Sequence, residues 1–299
     1  MTELHRKLCA QGIACQAEAS LSELCTFRIG GSVSLLVRPH SEETLCASVR
    51  LCREHGVRYR VIGNGSNLLF ADGGFDGALI VTTDVTFCET AGTHVYASAG
   101  LSLSVLARAA RDKGLEGLVF AFGIPGTVGG AIRMNAGAYG GQMSDVVERV
   151  RLYEPSSDTV MECDAEQMHF SYRHSLLAEC EELICLGAFL QLRRGDPDKI
   201  AAQMRQNMQS RREKQPLEYP SAGSFFKRPE GHFAGKLIED CGLKGYTVGG
   251  AAVSEKHAGF LINKGNATCA DVLSLAEHVR RVVFETYAVS LENEVEWIG

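Results

Sequence analysis

Between Gly123 and Gly130 the chain reads Gly-Ile-Pro-Gly-Thr-Val-Gly-Gly, four glycines in eight positions, with Asn135-Ala136-Gly137-Ala138-Tyr139-Gly140-Gly141 close behind. A run this poor in Cβ atoms is expected to be neither a packed helix nor an ordinary strand. It predicts either a backbone bent tightly against another backbone or a cradle of N–H groups around an anion. An earlier stretch, Gly63-Asn64-Gly65-Ser66-Asn67, carries the same two readings: two glycines, a hydroxyl and two amides directly after an apolar segment. It is not a dinucleotide fingerprint, because Leu68 stands where GxGxxG places its third glycine, and no Walker lysine is present. Two loops lined by backbone and lacking lysine favour a long diphosphate cofactor over a hydrolysed triphosphate.

The rest of the chain narrows the class. With 299 residues and 45% apolar content it can bury more than one core. The net charge of −6 offers no basic field for nucleic acid. Apolar runs such as Leu115 to Ile124 are too short and glycine-interrupted to span a bilayer, and no apolar stretch follows His5, Arg6 and Lys7. A cytoplasmic enzyme without membrane or nucleic-acid partners is expected. The eleven cysteines are odd in number and scattered among apolar neighbours, which fits thiols of a reducing compartment, with Cys46 and Cys52 as small core residues. Neither CxxC nor HExxH spacing occurs, so no metal is expected.

Periodicity predicts an α+β chain. Ser41 to His55 reads as a capped helix with Leu45, Val49 and Cys52 on one stripe and Gly56 as its stop. Val57 to Ile62, Leu68 to Phe70 and Ala78 to Thr82 read as strands, and Ser102 to Lys113 as a second helix ended by Gly114. Further strands are expected over Val147 to Tyr153, Met168 to Ser171 and Leu183 to Leu192. At Arg193-Arg194-Gly195-Asp196-Pro197 the character changes, and a polar helix, Asp198 to Glu213, connects to a second domain. There Gly235 to Cys241 is a short helix, while Tyr246 to Val253 and Phe260 to Asn263 are strands. Thr268 to Tyr287 is a helix with a Thr268/Asp271 capping box and a face of Val272, Leu275, Val279 and Val282. Leu291 to Ile298 alternates as a strand with Val295 and Trp297 on one face and Glu292, Glu294 and Glu296 on the other.

Six segments together carry a resemblance. Thr26-Phe27-Arg28-Ile29-Gly30-Gly31, the Gly63 to Asn67 turn, Gly123 to Gly130, Ser171-Tyr172-Arg173-His174-Ser175, Ser221-Ala222-Gly223-Ser224-Phe225-Phe226-Lys227 and Leu291-Glu292-Asn293-Glu294-Val295 occur in the order found in the UDP-N-acetylenolpyruvoylglucosamine reductase family, and nearly the whole chain is similar to it. The short distance from Arg173 to Ser221 is similar to the type II branch. The resemblance implies a two-subdomain FAD-binding domain of the vanillyl-alcohol-oxidase type, 1–82 and 83–194, followed by a smaller α+β substrate-binding domain, 195–299. It implies NADPH-dependent reduction of UDP-N-acetylglucosamine enolpyruvate to UDP-N-acetylmuramate for peptidoglycan, through non-covalent FAD.

It also implies roles. FAD would be held by Gly63, Asn64, Gly65, Ser66 and Asn67, and by Gly123, Ile124, Pro125, Gly126, Thr127, Gly129, Gly130 and Ala131. Arg173 would pair with the substrate carboxylate, Ser224 would give the proton and Glu294 would assist. Tyr172, Lys227 and Arg228 would contact the substrate. Without the resemblance, Arg173 reads as a surface strand residue, Ser224 as a loop serine, Glu294 as one of three solvated acids, and Lys227 and Arg228 as solvated charges. Two positions depart from the common family pattern: Arg228, where asparagine is frequent, and Glu296, where arginine is. His232 and His257 suggest local hydrogen bonding only. A flavin oxidase of the same superfamily and a non-catalytic flavin or nucleotide module are the competing readings.

Overall fold

Apolar residues three and four apart place a helix over Glu42–Glu54 in the computed structural model, which describes residues 1–299. The Ser41 hydroxyl accepts the Thr44 N–H, and the Thr44 hydroxyl accepts the Ser41 N–H, closing a reciprocal cap. Gly56, at φ 61°, lies just beyond its end. Leu45, Val49 and Cys52 join Leu35, Val37, Ala78 and Ile80 in one core cluster, each buried leucine being worth about 2–3 kcal/mol. The last four belong to a sheet ordered Ala14–Ser20, Ser32–Arg38, Phe75–Val81, Tyr59–Ile62, whose final pair is parallel. Burial pushes the thiols of Cys46 and Cys52 up, to about 11 and about 12, so they behave as small apolar side chains.

A second sheet is antiparallel, in the order Thr159–Asp164, Val147–Glu154, Ile184–Gln191, His94–Ser98, Cys88–Ala91. The helix Leu103–Asp112 buries Leu103, Leu106, Ala107 and Ala110 in a separate cluster with Val150, Leu152, Ala188 and Leu190. Thr159–Asp164 and Cys88–Ala91 are short and mostly exposed, so they carry no apolar alternation by which sequence could find them. Met168 to Ser171, expected as a strand, is not one: Met168 is buried, and Ser171 pairs only with His174 across a tight turn.

The glycine run also corrects its expectation, because Val128–Arg133 is a short helix. Gly129 sits within it because a Cβ there would lie 3.0 Å from the Ala99 Cβ. Close packing, rather than helix propensity, accounts for that glycine.

Contacts divide the chain into two discontinuous units, Met1–Ala17, Ser34–Asn64 and Gly77–Gln209 in the first, Glu18–Val33, Gly65–Asp76 and Ser210–Gly299 in the second. This differs from contiguous cuts at 82/83 and 194/195. Arg193–Arg194 pairs with Leu115–Glu116, and Ile200 and Met204 are buried in the first unit's core, so the polar change near residue 195 falls inside that unit. The helix expected as a connector, Pro197–Lys214, contains the division point.

The second unit holds an antiparallel sheet ordered Ser221–Ser224, Phe260–Asn263, Ala251–Val253, Thr247–Val248. Tyr246 to Val253 is thus a hairpin rather than one strand, bent at Gly249 with φ 53°. The helix Cys269–Tyr287 has the Thr268/Asp271 box, and the Asp72 carboxylate accepts the N–H groups of Cys269 and Ala270 at 2.7 and 3.0 Å. Its buried stripe is Val272, Leu275, Ala276, Val279 and Val283; Val282 stands about 100° round the helix from Val283 and is only half-buried. Strand structure near the C-terminus is confined to Glu296–Ile298, parallel to Leu68–Phe70. The expected alternation fails because the segment changes partners: Glu294 N–H bonds Phe225, whereas Glu296 N–H bonds Asn67. Val295 is accordingly buried at 6% exposure and Trp297 is 56% exposed. No helix is long and apolar enough to cross a membrane.

Candidate functional site

In the first unit, the end of the strand Tyr59–Ile62 delivers Gly63 and Asn64 against the second glycine run. A Cβ on Gly63 would lie 2.2 Å from Thr127 Oγ1, and Asn64 Nδ2 donates to the Pro125 carbonyl at 2.8 Å. Gly63 and Asn64 are therefore neighbours of the second glycine run. Several backbone donors of the run are committed within the protein: Gly123 N–H to Ser104 Oγ at 3.0 Å, Val128 N–H to Leu101 and Gly129 N–H to Ala99. One polar atom stands apart. Thr127 is 3% exposed, and its Oγ1 is buried without a protein hydrogen-bond partner. An orphaned hydroxyl beside Gly63 costs about 1–3 kcal/mol unless a bound group completes it, and a phosphate-bearing cofactor would supply such an acceptor. Glycine at 63, with Thr127 beside it, fits such a cofactor.

Arg173 occupies the tip of the Ser171–His174 turn, where Ser171 and His174 exchange backbone hydrogen bonds of 3.2 and 3.3 Å. Its φ is 56°, at the central position that type II turns give to glycine or asparagine. A non-glycine residue there costs about 1–2 kcal/mol, a strain that persists only where the surrounding structure holds the backbone in place. The guanidinium reaches the Gly137 carbonyl at 3.3 Å and lies 5.0 Å over the Tyr172 ring, itself 49% exposed. Side chains pin the turn from beneath: buried Ser175 donates to the Arg133 carbonyl at 2.7 Å, Asn135 Nδ2 donates to the Ser171 carbonyl at 3.0 Å, and Arg133 donates to the Leu177 carbonyl. His174 and His169 both face Glu179, at 2.8 and 3.4 Å, and hold its carboxyl below the usual range.

In the second unit, Ser224 ends the strand Ser221–Ser224 opposite Phe260, with a register irregularity and Gly223 at φ 80° just before it. Thr26 clamps the other end, its hydroxyl donating to the Ser221 carbonyl at 2.7 Å. Beyond Ser224, Phe225 N–H bonds Gly259, and the Phe225 carbonyl accepts Glu294 N–H at 2.8 Å. Lys227 N–H bonds the Glu292 carbonyl, and its ammonium lies 3.4 Å from the Glu292 carboxylate. Ser224, Lys227 and Glu294 are thus brought onto one pair of bridged segments. Arg228 stacks 4.6 Å over the exposed Phe233 ring.

Gly65, Ser66 and Asn67, the rest of the first glycine loop, also lie in this unit. Asn67 Nδ2 donates to the Glu294 carbonyl at 2.9 Å, so this loop residue positions the segment carrying Glu294. His257, given only a local role by sequence, accepts the Gly259 N–H on Nδ1 at 3.1 Å, and burial lowers its pKa. Sequence reasoning missed Asn135 and Thr26 as anchors. Asn135 stood beside the glycines of 137–141, and nothing in composition marks a buried amide hub.

A family model described as FAD binding domain matches residues 33–164, and one described as UDP-N-acetylenolpyruvoylglucosamine reductase, C-terminal domain, matches 215–298. The chain is 47% identical to the UDP-N-acetylenolpyruvoylglucosamine reductase of Caldicellulosiruptor saccharolyticus over 93% of its own length and 90% of that protein's. It is 46% identical to the Clostridioides difficile counterpart, over 92% and 90%. The crystal structure of UDP-N-acetylenolpyruvylglucosamine reductase from Thermus caldophilus superposes with a TM-score of 0.80 at 33% identity, covering 96% of this chain and 100% of that one.

Proposed function

This chain belongs to the UDP-N-acetylenolpyruvoylglucosamine reductase family, and we propose that it reduces UDP-N-acetylglucosamine enolpyruvate to UDP-N-acetylmuramate in the cytoplasm, with NADPH as electron source. The enzyme is an FAD-dependent oxidoreductase of peptidoglycan synthesis, with an FAD domain of the vanillyl-alcohol-oxidase type. When bound, FAD would supply hydride-transfer chemistry between NADPH and the β-carbon of the enolpyruvyl ether. In our reading, residues 1–82 and 83–194 form the two FAD subdomains, each contributing most of one core cluster although Tyr153, Ile184 and Leu186 join the first and Ile200 and Met204 the second, and 195–299 form the substrate domain.

The protein's own task is to manage charge at the enolpyruvyl group. Addition at the β-carbon pushes an electron pair toward the α-carbon and its carboxylate. Arg173 holds that carboxylate through charge-assisted hydrogen bonds that strengthen as charge builds. Ser224 Oγ–H then delivers a proton to the α-carbon, and solvent returns one to the alkoxide. A serine hydroxyl is a weak acid, but the carbon base it meets is stronger, so transfer runs downhill at that moment. Glu294 assists from the adjoining segment, and Tyr172, Lys227 and Arg228 contact the sugar nucleotide. Gly63 to Asn67 and Gly123 to Ala131 accommodate FAD by close approach and backbone donors, with Thr127 Oγ1 adding a hydroxyl donor.

The observation that carries this reading is 47% identity to a curated reductase over 93% of the chain. The purified protein is expected to be yellow and to turn over NADPH catalytically, beyond the amount that reduces its own flavin, only when the enolpyruvyl sugar is added. Absence of a sugar-dependent rate overturns the reading; rapid oxygen consumption without sugar points instead to an oxidase. Thr127→Val, which removes the orphaned hydroxyl at little change in volume, should weaken FAD binding roughly five- to tenfold, about 1 kcal/mol. Flavin fluorescence during titration of the apoprotein measures it, and unchanged affinity removes Thr127 from the cofactor site.

A further inference from the structure

Asn135 is 1% exposed, yet its amide is fully employed. Oδ1 accepts the Ser144 N–H at 2.9 Å, while Nδ2 donates to the Ser171 carbonyl at 3.0 Å and lies 3.3 Å from Ser144 Oγ and 3.4 Å from Gln142 Oε1. Its own φ of 42° lies in the left-handed region that asparagine tolerates. One side chain thereby ties the second residue after the helix Val128–Arg133 to the 142–144 segment and to the first residue of the Ser171–His174 turn. That turn holds Arg173 at φ 56°, a conformation its side chain disfavours. A two-residue turn of this kind relaxes unless something fixes its ends, and the Ser171 carbonyl is one of those ends.

We propose that Asn135 is a positioning residue for Arg173: its buried amide locks the Ser171–His174 turn in the left-handed form that presents the guanidinium to an anionic substrate group. This rests on the reading of Arg173 as the carboxylate partner. The lock works by geometry alone, since the amide carries no charge and makes its bonds to backbone and neutral side chains. A misplaced guanidinium loses its fit to the developing charge, whereas the Asn135 side chain bonds Gln142, Ser144 and Ser171 and neither glycine loop.

The test uses the FAD-loaded protein. Asn135→Gly removes the amide and keeps a residue at home with positive φ; Asn135→Asp keeps the Oδ1 acceptor for Ser144 and loses the donor to Ser171. Both are expected to lower kcat/KM for the enolpyruvyl sugar about 10- to 100-fold, the scale of a displacement near 1 Å. FAD content and the rate of NADPH-driven flavin reduction without sugar should stay within twofold of wild type. Amide exchange at His174, whose N–H bonds Ser171 across the turn, should accelerate in both variants. In an Arg173→Ala background the further loss from Asn135→Gly should be less than twofold, because the group being positioned is gone. Losses that multiply independently in the double variant, or unchanged sugar kinetics in both single variants, overturn the inference while leaving Arg173 in place. So does an equal fall in flavin reduction, which marks a general structural role. Full activity of Arg173→Ala itself overturns the arginine reading and this inference with it.

Discussion

The turn Ser171–His174 and the strand Ser221–Ser224 each present one side chain assigned to chemistry, and they are built from opposite resources. Arg173 sits at φ 56° on a turn pinned by Asn135 and, from the residue after it, by Ser175. Ser224 lies on a strand paired with Phe260–Asn263, whose continuation is bonded by Phe225 N–H to Gly259. Backbone pairing survives changes of neighbouring side chains, whereas a turn held by a few side-chain bonds depends on those residues. The difference teaches that a group needing rotamer and register control can ride a sheet. One that must project from a disfavoured backbone needs dedicated anchors.

The largest effects test whether both presentations serve the same reaction. Arg173→Ala and Ser224→Ala should each lower turnover by roughly 10²-fold or more while FAD stays bound, measured as sugar-dependent NADPH oxidation. Normal turnover in Ser224→Ala would transfer the proton to another group and remove one side of the comparison. A smaller effect probes the backbone itself. At position 173 the glycine variant should be more stable than the alanine variant by about 1 kcal/mol, because only alanine pays for positive φ. At position 224 the order should reverse by roughly 0.5–1 kcal/mol, since glycine weakens a strand. Urea unfolding of the four variants reads both signs, and equal signs would break the contrast.

The smallest effect concerns the turn behind the serine strand. His257 Nδ1 accepts the Gly259 N–H only while the ring is neutral, and burial lowers its pKa from 6.5, with Lys244 adding to the lowering and Glu239 opposing it. The unfolded chain therefore binds more protons than the folded one between 6.5 and that lowered value. Stability is full above pH 6.5 and is lost as pH falls through the folded value. His257→Asn, which keeps an acceptor and cannot be protonated, should flatten the acid side of the stability profile in that window. A profile identical to wild type would show that protonation of His257 does not shape the acid side of stability.

Much of this architecture was legible because it rests on local chemistry. Ser41 and Thr268 announced their helices by capping, and the stripes of Leu45, Val49 and Cys52 and of Val272, Leu275 and Val279 set the buried faces. Elements whose identity depends on distant partners were not legible. Thr159–Asp164 is a mostly exposed edge strand, and the segment from Leu291 to Ile298 exchanges one partner for another between Glu294 and Glu296. In the glycine run the sequence could not separate packing from ligand contact. The structure gives Gly129 to packing and leaves the Thr127 hydroxyl orphaned. Arg173, Ser224 and Glu294 were visible only through resemblance, because neither a positive φ nor a bridge to Phe225 is written in residue type.

The bond from Asn67 to Glu294 joins positions 227 residues apart. The unit containing it gathers three separate stretches, Glu18–Val33, Gly65–Asp76 and Ser210–Gly299, while Gly77–Gln209 is continuous within the other. Closing loops of that length is slow, so order of assembly follows from chain connectivity. The antiparallel sheet of the first unit can form from one uninterrupted stretch, and the early strand Leu68–Phe70 must wait for Glu296–Ile298 to arrive. Pulse-labelled hydrogen exchange during refolding should protect Val147–Glu154 before Leu68–Phe70, and simultaneous protection would refute that order.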